Sequence, residues 1–425
     1  MARPSSLRCR VCSHEPDQPT VQYCDECFGP LDVAVGPPEV TGEELRRRVV
    51  AGPPSMWRYR DLLPFDEPPG AGRVGNTPLV EARALGAALG VTDLWLKDDT
   101  ANPSGSFKDR VVAAALGRAV AEGRTVLAAA STGNLAHALA GAAARAGLRA
   151  VVLVSEALPA SEQEALAAPG ATVVPVAGDY DTANRLASEA SMDGLSASWA
   201  WCNIGLRPWY VEGSATVAHE IAEQLGWAVP DAVIAPIASG AMALALHRAF
   251  LDLAAVGLVE PGPPPALWGA QPAGCAPVAD AFAAGATDVR PVRPATVASS
   301  LAMGDPPDGP EVLAVAGATG GGVIAAPEDE IAGAQQLLAD TEGIAAEPAG
   351  GVVVAAVARL AVAGRLPAGT RVVACLTGGT HDRWASAPAP GIAPGRVTGT
   401  IPPTVSALSA VVSEGLSDAP EDPSR

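Results

Sequence analysis

The chain has 425 residues, 48% of them hydrophobic, and a formal charge of −18. With a mean hydropathy of +0.22, that length excludes disorder over most of the chain and leaves room for more than one globular unit. The acidic balance argues against nucleic acid, whose phosphates call for clustered Lys and Arg, so a small molecule is the expected ligand. The opening "MARPSSLRCRVC" has no apolar core of a leader, and no charge-free apolar run of about 18 residues follows. Neither export nor membrane insertion is expected, and a reducing cytoplasm is the default compartment.

Cys9, Cys12, Cys24 and Cys27 come first, in "CRVCSHEPDQPTVQYCDEC". Two CxxC knuckles on a short hairpin direct four thiolates to one point, the pattern of a structural Zn²⁺ site. A pair of disulfides is the alternative, disfavoured without a secretory context. His14 reads as a solvated loop residue. Residues 1–35 are thus expected to form a zinc ribbon. Pro- and Gly-rich sequence follows to about residue 75, interrupted by the apolar "MWRYRDLLP", which reads as a short helix or arm wrapping onto the next domain.

After "GNTPLV", short β-branched runs alternate with Ala/Leu-rich helical stretches: "TVLAAASTGN", "RAVVLVSE", "ATVVPVAG", "AVIAPIASG" and finally "RVVACLTGG". That alternation predicts an α/β protein with two parallel-sheet lobes, a smaller one at about 110–205 inside a catalytic domain of 36–385. Beyond 385 the Pro, Ala, Gly and Ser content predicts a largely disordered tail, 386–425.

Lysine occurs only twice, as Lys97 and Lys108; arginine serves everywhere else. A guanidinium cannot act as a nucleophilic amine, whereas a lysine can lose its proton and form an imine with a carbonyl cofactor. Lys108 in "NPSGSFKDR" precedes Val111, Val112, Ala115, Leu116, Ala119 and Val120, one face of a helix. A first-turn position and burial would both favour its free amine; a salt-bridged surface lysine is the competing reading. Partners for such a cofactor stand in loops after strands, where open α/β sheets bind ligands. Asn134 of "STGN" offers an amide to a ring hydroxyl, although that tetrapeptide is also an ordinary N-cap. Ala238 to Met242 ("ASGAM") offer backbone amides to an anion. Thr377 of "LTGG" offers a hydroxyl to a pyridine nitrogen, and so weak an acid favours elimination and replacement over transamination.

Taken in order, the CxxC pair, "WRYRDLLP", "GNTPL", "NPSGSFKDR", "STGN", "EPAGG" and "LTGG" resemble threonine synthases and their close relatives among fold-type II pyridoxal-phosphate enzymes. The likeness runs from Leu7 to about Leu408. It implies a tryptophan-synthase-β-like fold, often dimeric, pyridoxal 5′-phosphate bound to Lys108, and Phe107 stacking near the ring. It implies Asn134 at the ring oxygen, Ser239, Gly240 and Ala241 around the cofactor phosphate, and Thr377 at the ring nitrogen. The implied reaction converts O-phosphohomoserine and water to threonine and phosphate. Asn203 and Arg207 are candidates for a substrate-phosphate site, and Ser104, Ser131 and Thr132 for the α-carboxylate; pairing of Arg207 with Glu212 is the structural alternative.

Relatives carry lysine in the segments here written "EGSATVAHE", "SGAMALALH" and "ASSLAMGD", which offer Ala215, Ala245 and Ser299 instead. Each missing phosphate donor is worth about 1.5–3 kcal/mol as a charge-assisted hydrogen bond. Arg207, Arg248 or Arg293 could replace them, as could His219, His247 or His381 if protonated. The alternative expectations are a diverged β- or γ-replacement enzyme acting on another amino acid, as cysteate synthase does, and a non-catalytic scaffold.

Overall fold

The computed structural model describes residues 3–18, 21–193, 198–380 and 395–414; His381 lies outside them. Strands β1 (Ser5–Cys9) and β2 (Leu31–Val35) pair antiparallel, Cys9 opposite Leu31. The linker wraps as expected: in the short 3₁₀ segment Met56–Leu62 the side chains of Met56, Trp57 and Tyr59 are buried.

A six-stranded sheet is built from β3 (Leu79–Glu81), β4 (Asp93–Asp98), β9 (Ala232–Pro236), β10 (Ala266–Pro272), β11 (Gly322–Ala326) and β12 (Arg371–Leu376). A second, five-stranded sheet holds β5 (Val126–Ala130), β6 (Arg149–Ser155), β7 (Thr172–Val176), β8 (Trp199–Trp201) and β13 (Arg396–Val397). The orders are β11-β10-β9-β12-β4-β3 and β13-β7-β6-β5-β8. Pairing is parallel throughout except at β3, which closes one edge antiparallel to β4. Central strands such as "VLAAA" and "AVIAP" are buried at every position, as strands covered by helices on both faces must be.

This topology places the site. The chain leaves the large sheet after β4, builds the smaller lobe, and returns at β9; the last long strand, β12, inserts between β9 and β4. Three adjacent strands therefore deliver the loops at Asn102–Phe107, Thr377–Gly379 and Ala238–Gly240 to one edge. The "STGN" loop follows β5, inside the second sheet.

Part of the stretch expected as a disordered tail is structured. Arg396 and Val397 pair with Thr172 and Val173, and the helix Val405–Glu414 follows. Ile401, Leu408 and Val412 share the core cluster of Val174, Val176 and Leu186. Composition hid this because three apolar residues spaced through a Pro- and Ser-rich segment suffice to join the core.

Candidate active site and metal centre

Lys108 opens the helix Lys108–Ala121. The preceding loop is fastened at two points to the loop after β12: the Phe107 amide donates to the Thr377 carbonyl (2.9 Å), and the Gly379 amide donates to the Gly105 carbonyl (3.0 Å). Asp109 shapes the loop from the other side, accepting the Ser104 amide at 2.6 Å. Lys108 Nζ lies 4.7 Å from the Phe107 ring centroid and 5.8 Å from that of Tyr210. Phe107 itself packs against both the core cluster containing Tyr210 and the one containing Met242.

The other lysine is structural. Lys97 is fully buried and donates to Glu220 Oε2 (2.6 Å), the Thr77 carbonyl (2.7 Å) and Gln224 (3.0 Å). Arg110 completes the network, with Asp99 at 2.8 Å and Glu220 at 2.5 Å. Burial pushes the Glu220 carboxyl up, but Arg110 and Lys97 outweigh it and hold the group well below the usual carboxylate range. Glu220 also accepts the amides of Asn76 and Thr77, at 2.6 and 3.1 Å. "GNTPL" and the last arginine of "SFKDR" are thus two sides of one buried ionic cluster beneath the Lys108 helix.

Asn134 begins the helix Asn134–Ala146, and Ser131 Oγ accepts the Gly133 amide just before it at 3.3 Å. The Asn134 amide nitrogen reaches across to both carboxylate oxygens of Glu347, at 3.2 and 3.0 Å. Glu347 also accepts from Ser300 (3.1 Å), and its own amide donates to the Gly378 carbonyl (2.9 Å). Burial raises the Glu347 carboxyl, against the opposing effects of Asn134, Ser300 and Lys108. A Cβ on Gly378 would lie 2.7 Å from this carboxyl and 3.1 Å from the Asn134 amide, so a side chain there would displace the Glu347–Asn134 pair. The motif "EPAGG" by itself gives Glu347 no role; a carboxylate directly before a helix-starting proline was the available signal.

After β9, Gly240 turns the chain at φ +99° into the helix Ala241–Ala255. A Cβ there would meet Val312 at 2.7 Å and Asp308 at 3.0 Å. The Ala241 amide donates to Ser239 Oγ (3.3 Å), and the first-turn amides that follow have no intrahelical partner. A short-residue turn at a helix N-terminus fits a phosphate. Lys108 and the Asn134 amide fit the remainder of a phosphorylated pyridine aldehyde.

Arg207 does not pair with Glu212. It is 27% exposed and binds Asp308 Oδ2 at 2.7 Å, whereas Glu212 meets Arg248 at 3.4 Å. The Asp308 amide donates to the Ser239 carbonyl (3.1 Å), which sets Arg207 beside the Ser239–Ala241 turn. Asn203, on the loop before Arg207, has a side-chain oxygen without a hydrogen-bond partner. The proposed substitutes for the missing lysines are largely committed: Arg248 binds Asp32 (3.0 Å) and Glu212. Burial pushes His219 down to about 3 and lowers His247, which disfavours the protonated form of both.

In the ribbon the sulfurs of Cys9, Cys12, Cys24 and Cys27 lie within 4.8 Å of one another. Separations of 3.4, 3.5 and 3.6 Å are too long for disulfides. They are close to the ~3.8 Å edge of a tetrahedron with Zn–S bonds of about 2.3 Å, so the four residues fit a Zn²⁺ ion. His14 instead lies 2.9 Å from Asp25. Among the described residues no helix is long and apolar enough to cross a membrane.

Comparison with known proteins agrees with this geometry. The profile of the family described as "Pyridoxal-phosphate dependent enzyme" matches residues 71–378. Threonine synthase of Methanocaldococcus jannaschii is 33% identical over 379 residues, covering 87% of this chain and 91% of the relative. That of Methanosarcina acetivorans is 32% identical, covering 88% and 91%. Among solved structures, a T.th. threonine deaminase superposes with a TM-score of 0.58 at 25% identity, covering 72% of this chain and 93% of that one. Maize serine racemase shares the fold, with a TM-score of 0.61 at 20% identity over 81% and 94%. The chain belongs to the fold-type II pyridoxal-phosphate-dependent enzymes, in the threonine-synthase and tryptophan-synthase-β family, with a four-cysteine metal-binding cluster at its N-terminal end.

Proposed function

We propose that the chain is a threonine synthase-type lyase that converts O-phosphohomoserine and water to threonine and phosphate. The observation that carries this reading is the double backbone link of the Lys108 loop to the Thr377–Gly379 loop, with Asn134 joined to the same loop through Glu347. It gathers an amine, an amide and a hydroxyl from three separate segments, and the two methanogen relatives of that name match along nearly their whole length.

Pyridoxal phosphate, when bound, supplies the electron sink for the reaction. Lys108 would hold the cofactor through Nζ, and the same amine would take the substrate Cα proton, move protons at Cβ and Cγ and return one to Cα. The Cγ–O bond breaks, phosphate departs with the bonding pair, and water supplies hydroxyl to Cβ. The Ser239–Ala241 turn with Met242 and Ala238 holds the cofactor phosphate. An amide carries two N–H donors, so Asn134 can serve a ring oxygen while it holds Glu347. The Thr377 hydroxyl would serve the ring nitrogen and is too weak an acid to protonate it, which would disfavour transamination. Ser104, Ser131 and Thr132 receive the substrate carboxylate, and Asn203 and Arg207 its leaving group. Zn²⁺ on the four cysteines is structural.

A second reading is favoured by one contact. Arg207 is already neutralised by Asp308 at 2.7 Å, which weakens it as a phosphate donor. The same machinery would then act on an amino acid with a different leaving group by β- or γ-replacement. Incubation with O-phosphohomoserine separates the two. Equal amounts of threonine and phosphate are expected from the first; neither product, with turnover of another amino acid, supports the second. A chain that binds the cofactor and turns over nothing would be the scaffold instead.

A further inference from the structure

The ribbon packs on the catalytic domain through several side chains, Asp32 with Arg248 among them, and one of these, Arg10, reaches Asp308. Arg10 lies between Cys9 and Cys12, its amide bound to the Pro30 carbonyl at 3.0 Å, so its position follows from the knuckle itself. Its guanidinium donates to Asp308 Oδ1 (3.0 Å) and Glu311 (2.7 Å) through Nη1, and meets Asp32 (2.8 Å) through Nη2. The Asp308 side chain is only 2% exposed. Its other oxygen is the one that holds Arg207. A carboxylate so buried requires compensating cations, and here it has two, one from each domain, each fixing one oxygen.

Asp308 is also bound through its backbone: its amide donates to the Ser239 carbonyl (3.1 Å), and its carbonyl receives the Val312 amide (3.0 Å). Gly240 runs so close above it that a Cβ would come within 3.0 Å of the Asp308 Cβ. Displacement of Asp308 would therefore shift the Ser239–Ala241 turn and release Arg207 together.

We propose that Arg10 is a positioning residue for the phosphate-binding turn: the ribbon, through Arg10, fixes Asp308, and Asp308 fixes both the Ser239–Ala241 turn and Arg207. The ribbon is then a built-in part of the active site's support. This rests on reading that turn as the cofactor-phosphate site.

The test compares titrations of the metal-loaded chain with pyridoxal phosphate and with pyridoxal, which lacks the phosphate. In Arg10→Gln, with cysteine-bound metal and melting temperature verified, the dissociation constant for pyridoxal phosphate should rise about tenfold, and that for pyridoxal should stay within about twofold. Arg10→Lys, which keeps a cation at Asp308, should recover most of the loss. Glu330→Gln, which removes an exposed carboxylate paired with Arg359 and not with Arg10, should bind like the parent. Asp308→Asn reads the same link from the catalytic side and should lose phosphate discrimination even if Arg10→Gln does not fold. Unchanged pyridoxal phosphate affinity in Arg10→Gln, or equal loss of both ligands, would overturn the proposal. A parent chain that binds the two ligands equally would instead overturn the assignment of the turn.

Discussion

Of the two lysines, Lys108 is the one proposed to carry the chemistry, and Lys97 holds together the buried cluster beside it. Lys97 and Arg110 together compensate Glu220 and Asp99 in a site with no access to water. Removing one partner from a buried ionic cluster leaves an uncompensated charge, at a cost of about 3–5 kcal/mol. Arg110→Ala should therefore lose about that much in denaturant unfolding, although Arg110 touches no candidate ligand; a loss below about 1 kcal/mol would show the cluster to be marginal. Lys108 is legible in the sequence because arginine replaces lysine elsewhere, so its retention asks for an amine. Lys97 is not: "LWLKDDT" contains nothing that names Glu220, 123 residues away. Glu347 and Asp308 are silent for the same reason, since their meaning comes from the partners that the fold supplies.

Among the elements, the strand-to-helix turns are where sequence and site coincide. Gly240→Ala adds a Cβ 2.7 Å from Val312 at φ +99°, in a region that costs a non-glycine residue roughly 1–2 kcal/mol. The turn must shift, and pyridoxal phosphate affinity should drop at least about tenfold in a titration held below the variant's melting temperature; parental affinity would mean that the turn does not hold the phosphate. The helix Ala215–Gln224 supplies a pH prediction. His219, buried and 5.3 Å from the Tyr59 ring centroid, is lowered from 6.5 to about 3 by burial. The unfolded chain therefore binds a proton that the folded chain refuses, so stability is full above pH 6.5 and is lost as pH falls toward 3. The slope approaches about 1.4 kcal/mol per pH unit. His219→Phe should flatten unfolding free energy between about pH 6.5 and 4.5; an unchanged slope would remove His219 from the account. The strands and the CxxC knuckles were readable from local pattern alone. The helix Val405–Glu414 was not, because composition averages over the few residues that pack.

For the whole molecule, the alternation of strands and helices announces two sheets but not their strand order. Placing β12 between β9 and β4 is a long-range choice, made by burial of the central strands and not written in any one of them. That choice brings residues 102–108, 238–241 and 377–379 to one edge, and everything said about turnover depends on Lys108 standing there. Because the chain has only two lysines, one of them buried in salt bridges, a single measurement addresses this. The chain loaded with pyridoxal phosphate is reduced with borohydride, digested and mapped by mass spectrometry. The account predicts the pyridoxyl mass on the peptide carrying Lys108 and on no other. A tag on Lys97, on the terminal amine, or on no peptide would contradict it.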